Sequence, residues 1–495
     1  MFLPIGIFIG ILIVVANLTA AAIINNDGII RLPLRRNENG QLASMRKDRR
    51  DNVEATAPLY NANGREYLAT VDIGTPPKSF DLAVDTGSGE LWIPSIECAA
   101  NVCPYDRYDH TKSSTFRSAS MPFSIEYGRG SANGTYAYET VGLGGATVDN
   151  QMIGMATHTE DILGVVRQGR QNNGIMGLGF PGLNSARGVK NDVPFVFHLV
   201  ANNVIREPVF SLFLNSQFKF GRSGQIVLGG IDQSHYSGKL RYVPVVPYTI
   251  SAGDSVSPNL GKSAQPAGGI YLYWTVPGQA VTTSAGYRKS VGLQAFVLDT
   301  GTTLTYLPPD VADGIIRSVS TTARLSPTQG VYRVDCNLAK STESVEFQLS
   351  TSVSQQTKPA AVVSIRVPVS ELVIPLNGPT PDKSTACMFG IAPAPTDLSL
   401  STGQTWMLGE GVLRSVYTVY DMKQNRVGVA PAATRSARTS QNATATTTET
   451  APHSSTSLAD AKLTPKTPSS STYSRPSRWL ELIALLSLMA SVAWQ

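Results

Sequence analysis

Two acidic residues stand out in this chain. Asp85 lies in FDLAVDTGSGELWIPS (residues 80–95) and Asp299 in AFVLDTGTTLTYLPP (residues 295–309). In both stretches an apolar run ends in Asp-Thr-Gly, a hydroxyl residue follows (Ser88, Thr302), and a second apolar stretch closes at proline. One copy alone would pass for a turn, since Asp, Thr and Gly are all turn formers. Yet a carboxylate ending an apolar run is costly to bury without partners. A turn needs no duplicate in the other half of the chain, whereas a pair of cooperating acids does. Two carboxylates brought together cannot both ionise readily, so they titrate as a unit that keeps one proton. The ionised member can take a proton from water, and the protonated member can give one to a carbonyl oxygen. That is hydrolysis with neither a metal nor a covalent intermediate. Gly87 and Gly301 are expected to let the chain turn sharply with backbone amides facing the carboxylates. Ser88 and Thr302 are expected to bond the outer carboxylate oxygens and favour the charged form.

The duplication extends further. GIMGLG (residues 174–179) follows the first motif and WMLGEG (residues 406–411) the second, each with two apolar residues before a glycine. An internal repeat on this scale predicts two lobes related by a pseudo-two-fold axis, with Asp85 and Asp299 meeting at the junction. Short apolar-alternating runs broken by Gly, Pro and Asn continue from about residue 67 to about 430. They predict a mainly β body with short helices near residues 193–201 and 310–319.

The ordered set of motifs resembles the pepsin family of aspartic endopeptidases over about residues 67–432. It comprises both Asp-Thr-Gly motifs, LWIPS, GIMGLG, FSLFL, GQIVLGGID, YSGKLRYVPV and WMLGEGVLRSVYTVYDMKQNRVGVAP. Together with the C-terminal features below, the chain is most similar to the fungal yapsin-like group. The resemblance implies an all-β bilobal pepsin-like fold with a peptide-binding cleft between lobes spanning about residues 66–243 and 270–430. It implies polypeptide substrates, no cofactor, and a flap hairpin in FSIEYGRGSANGTY, where Tyr127, Gly128 and Arg129 occupy the tip. Trp92 matches the residue whose indole can bond the flap tyrosine. Arg129 departs from the pattern: an acidic flap residue would welcome a basic side chain before the cleaved bond, and an arginine repels it. Broader apolar or acid-tolerant specificity is therefore expected. Glu410 stands where Asp is usual, the third disulfide of pepsin is missing, and residues 248–269 read as an inserted surface loop.

The ends of the chain differ from its middle. Residues 1–22 form an apolar run closing on small residues, which reads as a secretory signal peptide, with an uncleaved anchor as the rival since no basic residue precedes the run. Residues 23–55 carry RLPLRR and RKDRR and little core character, and read as a propeptide before a peptidase domain at 56–430. Residues 431–478 are rich in Ser and Thr and read as a glycosylated stalk, with sequons at Asn442 and, in the flap, at Asn133. Small residues at Ser469–Ser471, a polar spacer and an apolar tail at 479–495 read as a GPI-attachment signal. The rival is a single-span helix, against which stand the short run, Glu481 and the lack of a basic flank.

The formal charge of +5 sits in these flanking segments, and basic and acidic residues balance in between, which leaves a nucleic-acid-binding role without support. Four cysteines allow three pairings. The short spacing favours Cys98–Cys103, leaving Cys336–Cys387, and five scattered histidines give no metal-ligand spacing. A monomer at the cell surface is expected. A catalytically dead binding protein would be expected to have lost an Asp or its hydroxyl partner, and all four residues are present. A purely structural wall glycoprotein would account for the tail and nothing in the core.

Overall fold

The computed structural model describes residues 23–24, 30–38, 65–128, 130–163, 172–184, 192–218, 222–250, 256–261, 269–354, 361–395 and 406–433. The molecule is mainly strands with a few short helices. Where a strand covers one face of a sheet, burial alternates with the two-residue period of the backbone. In Val362–Pro368, Val363, Ile365 and Val367 face inward and their neighbours face out. The two strands leading to the acidic motifs behave differently. Lys78–Asp85 and Arg288–Leu298 begin exposed and end in continuously buried residues, so each delivers its Asp into the interior.

The same local arrangement surrounds both ends. In the N-terminal half, Lys78–Asp85 pairs antiparallel with Arg65–Ile73 and parallel with Ile175–Gly177, which also pairs antiparallel with Leu91–Pro94. In the C-terminal half, Arg288–Leu298 pairs antiparallel with Thr275–Thr283 and parallel with Met407–Leu408, which pairs antiparallel with Thr305–Leu307. The sequence duplication is thus a duplication of topology. The first unit belongs to a 14-stranded sheet and the second to a 7-stranded one, giving a bilobal all-β fold. The halves share a core: Trp274, fully buried, donates its indole N–H to the Leu178 carbonyl at 2.8 Å and packs 4.3 Å from the Phe180 ring.

The helices lie close to their expected places, at Phe195–Ala201 and Pro309–Val319. The second starts with proline, whose missing N–H costs nothing in the first turn. It buries Val311, Ala312, Ile315 and Ile316 along one face.

Two segments depart from expectation. Residues 23–55 were expected to have little core character, yet Ile30–Glu38 is a strand of the largest sheet. It pairs along Arg222–Leu228 on one side and with the start of Arg65–Ile73 on the other. Backbone hydrogen bonds need no apolar side chain, so its basic composition did not prevent it. The supposed surface loop at 248–269 contains a small hairpin, Tyr248–Ile250 with Val256–Pro258. Tyr248 in the hairpin and Asn259 just after it are buried, and the Tyr248 hydroxyl lies 2.7 Å from that of Thr275. The expected stalk begins late, since Pro431 still ends the strand Arg426–Pro431 and Ala432 bridges to Tyr236; residues 434–478, the signal and tail segments, Asn442 and Ser469–Ser471 lie outside the described residues.

Candidate active site

The two acidic motifs meet. Asp85 and Asp299 are each 5% exposed, and they lie close enough that the charge of Asp299 acts on the Asp85 carboxyl. Each is held in the same way by its own loop. The Gly87 amide donates to Asp85 Oδ1 at 2.7 Å and the Ser88 hydroxyl to Oδ2 at 2.5 Å. The Gly301 amide donates to Asp299 Oδ1 at 2.8 Å and the Thr302 hydroxyl to Oδ2 at 2.5 Å. An amide on one oxygen and a hydroxyl on the other fix each carboxyl plane. Hydrogen bonds to a carboxylate also favour its charged form.

Gly87 and Gly301 were expected to be needed for a sharp turn. The chain does turn at Thr86–Gly87 and bend at Thr300–Gly301, but neither glycine has a positive φ, so a left-handed backbone is not what requires glycine here. A Cβ on Gly87 would lie 2.7 Å from the carboxyl carbon of Asp299, and one on Gly301 would lie 2.6 Å from that of Asp85. Each glycine leaves space for the acid of the opposite lobe. The amide contacts were as expected.

The threonines between Asp and Gly cross the junction beneath the acids. The Thr86 hydroxyl donates to the Leu298 carbonyl at 2.8 Å and accepts from the Thr300 amide at 3.0 Å. The Thr300 hydroxyl donates to the Val84 carbonyl at 2.7 Å and accepts from the Thr86 amide at 3.1 Å. Both residues are buried. Their position between Asp and Gly in each motif is the one sequence signal that marks them. The later glycine loops support the turns from below: the Leu178 amide bonds the Asp85 carbonyl, and the Asp299 amide bonds the Leu408 carbonyl.

Burial first, and the charge of Asp299 second, raise the Asp85 carboxyl far above the ordinary carboxylate range, against the opposing hydrogen bonds of Ser88 and Gly87. A pair in this state keeps a proton well above the pH at which isolated carboxyls lose theirs. Such a site can hold an acid and a base side by side.

Above the acids, Tyr127 ends the strand Arg117–Glu126, whose hairpin partner is Ser131–Leu143. Its hydroxyl accepts the Trp92 indole N–H at 2.8 Å. Burial, and then the nearby Asp85 carboxyl, push the Tyr127 phenol well above its usual value, so it stays neutral and able to donate. Gly128 is exposed, and Arg129 lies outside the described residues. Asn133 sits half-buried in the second hairpin strand, and its Oδ1 accepts from the Ser124 hydroxyl at 2.7 Å. Both disulfides take the expected pairing, Cys98–Cys103 and Cys336–Cys387.

Two further buried carboxylates lie near these elements. Glu90, five residues after Asp85, accepts from the Tyr136 hydroxyl at 2.9 Å. Glu410 is buried 3.5 Å from Arg414 one helical turn later, so the exchange of Asp for Glu is absorbed by an interior ion pair. Neither partner was foreseeable from spacing, because Tyr136 is 46 residues from Glu90 and Arg414 looks like an ordinary surface base.

Residues 66–432 match the family model described as eukaryotic aspartyl protease. The chain is 31% identical over 378 residues to cathepsin E of Mus musculus, covering 76% of this chain and 82% of that protein. It is 31% identical over 371 residues to gastricsin of Homo sapiens, with 74% and 81% covered, and 29% identical over 381 residues to pepsin A of Suncus murinus, with 77% and 84% covered.

Proposed function

Because the chain belongs to the eukaryotic aspartyl protease family and is an aspartic endopeptidase, we propose that Asp85 and Asp299 are its catalytic pair and that it works on polypeptides at the cell surface. The observation carrying the catalytic assignment is the reciprocal fit in which each acid occupies the space left by the other lobe's glycine. A water held between the carboxyls loses a proton to the ionised member while the protonated member donates to the scissile carbonyl oxygen. The water oxygen adds to the carbonyl carbon, giving a neutral tetrahedral diol. The protonated carboxyl then gives its proton to the amide nitrogen while the other carboxylate takes one from a diol hydroxyl, and the C–N bond breaks to release an amine and a carboxylic acid with the dyad again singly protonated. Ser88 and Thr302 each hold one oxygen of their carboxyl throughout, and Tyr127, neutral and anchored on Trp92, closes over the substrate.

The finer assignments rest on sequence. The apolar N-terminal run, the dibasic segment at 23–55, the Ser/Thr-rich stretch and the apolar tail support secretion as a zymogen and display on a GPI anchor, in the manner of yapsin-like enzymes. Arg129 supports a specificity that disfavours Lys or Arg before the cleaved bond, and the protein is proposed to act as a monomer.

The test is cleavage of a denatured protein at about pH 4 with and without a statine-type inhibitor, since dyad chemistry needs the shared proton. Asp85→Asn and Asp299→Asn should each abolish turnover while leaving the fold intact. Full activity in either variant would refute the assignment. A peptide library with strong preference for Lys or Arg before the scissile bond would refute the specificity reading. Retention of the protein on cells after treatment with phosphatidylinositol-specific phospholipase would refute the anchor.

A further inference from the structure

A second cavity lies in the C-terminal half, away from the catalytic elements. It has a volume of about 640 Å³ and opens beside the Cys336–Cys387 disulfide. Part of its wall comes from Arg324–Ser326 and Val331–Val334, two strands of a small four-stranded sheet completed by Cys387–Phe389 and Val373–Pro375. None of these strands carries a residue of the acidic motifs.

The charge in this cavity is unusual. Arg324 and Arg333 are direct cross-strand partners in the antiparallel pair, so their side chains leave the same face of the sheet. Like charges placed opposite one another destabilise a sheet. Ordinarily a carboxylate between them would relieve that. Here Arg324 donates to its neighbour's carbonyl, that of Ala323, at 2.8 Å, and Arg333 donates to the amide oxygen of Gln329 at 2.7 Å. Lys340, on the adjoining helical turn, donates to Asn337 Oδ1 at 2.9 Å. All three cations line the cavity, and all three of these bonds go to neutral oxygens. Two carboxylates also line it, and among the described residues neither is ion-paired with Arg324 or Arg333. Asp335 caps the Cys336–Lys340 turn, accepting from the Asn337 amide at 2.8 Å and its side chain at 3.1 Å. Asp382 lies next to Lys383, and both Lys383 and Lys340 act on its charge. Three lining cations against two acids leave the cavity with a net positive charge. Hydroxyls of Thr322, Ser384 and Thr385 supply much of the remaining wall, and no aromatic ring lines it.

We propose that this cavity binds a phosphate or sulfate ester carried on a small polyhydroxyl group, such as a sugar phosphate. The paired guanidinium forks match a tetrahedral oxyanion, which can accept two N–H bonds from each. Lys340 adds a third charge from the side. The cavity falls within the range of small-ligand sites and is much larger than a lone oxyanion, and its hydroxyl lining suits a hydrated carrier rather than an apolar one. Binding would neutralise the Arg324–Arg333 repulsion, so the ligand should also stabilise the fold.

Isothermal calorimetry on the full chain with glucose 6-phosphate tests this, at low salt and about pH 7, where the ester is close to dianionic. Saturable binding that weakens with added salt, and no binding of glucose itself, are expected. Arg333→Gln and Lys340→Gln should each weaken binding about tenfold, the loss of one charge-assisted contact, while peptidase activity stays at the wild-type level. The lysine variant lies outside the sheet and keeps the test open if the strand variant misfolds. No binding of glucose 6-phosphate at millimolar concentration, or unchanged affinity in the lysine variant, would overturn the proposal. Inorganic phosphate binding as tightly as the sugar phosphate would overturn the polyhydroxyl carrier.

Discussion

Thr86 and Thr300 exchange hydrogen bonds across the junction of the two lobes, each hydroxyl accepting the other's backbone amide at 3.1 Å or less and donating to a carbonyl just before the opposite Asp. The positions of Asp85 and Asp299 therefore cannot be set by either lobe alone. Any rotation of one lobe against the other must first break four buried hydrogen bonds.

Thr300→Val keeps the shape of that residue and deletes its hydroxyl. The Thr86 amide and the Val84 carbonyl would be left buried without this partner. Leaving two such groups unpaired costs about 2–4 kcal/mol. Thermal unfolding should move down by several degrees, and kcat should fall more than KM rises because the dyad loses registry. An unchanged melting temperature would contradict the described role.

Gly301→Ala should be poorly tolerated despite ordinary backbone angles, because its methyl would sit against the Asp85 carboxyl. Displacing that acid by a fraction of an ångström should lower kcat by about 100-fold. Circular dichroism would check that the fold survives. The same substitution at Gly286 or Gly330, where nothing lies within 4 Å, should leave kcat unaltered, although both have positive φ and should lose some stability.

The raised Asp85 carboxyl makes a prediction about pH and stability. Its ordinary value is 3.8, and in the fold it lies well above that. Between the two values the folded state binds more protons than the unfolded one, so stability must fall as pH rises. The contribution is complete below about pH 4 and is progressively lost toward neutrality. Denaturant titrations at several pH values should show this slope in the wild type and a flatter one in Asp85→Asn. A wild type that grows more stable from pH 4 to pH 7 would count against the buried shared proton, unless that slope persists in Asp85→Asn.

Tyr127→Phe removes the acceptor of the Trp92 indole N–H, which is itself in a fully buried residue. The hairpin would lose its tether while Asp85, Ser88, Asp299 and Thr302 keep their bonds. A loss in kcat/KM of about tenfold is expected, equivalent to one hydrogen bond, with the pH limbs that report the dyad moving little. Steady-state kinetics across pH separates this from damage to the acids.

The acids were legible in the sequence because the chain prints their environment twice. Duplication turns a common turn motif into a constellation, and the two helices likewise follow from local periodicity. What escaped was cooperation between distant segments. Gly87 and Gly301 could be recognised as necessary, yet their function is to make room for a residue of the other lobe, which no local pattern encodes. Ile30–Glu38 alternates apolar Ile30, Leu32 and Leu34 with other residues, a strand signal obscured by Pro33 and the flanking arginines. Proline seldom sits inside a sheet, and the main partner strand, Arg222–Leu228, lies far along the chain. Arg324 and Arg333 gave no sign at all, because nine residues apart in sequence says nothing about facing each other across a hairpin.

The strand Ile30–Glu38 is the keystone of the largest sheet. On one side stand Arg222–Leu228 and the strands beyond it, on the other Arg65–Ile73 and everything that leads to Asp85. Among the described residues, those two blocks have no hydrogen-bonded strand in common except this one. If the segment before residue 56 were cut away and lost, the sheet would fall into two half-sheets, each with a bare row of amides and carbonyls where a neighbour had been. Such edges recruit whatever extended chain is at hand. Maturation by proteolysis would therefore be incomplete at the moment of the cut. It would finish only when another stretch of polypeptide filled the vacated slot.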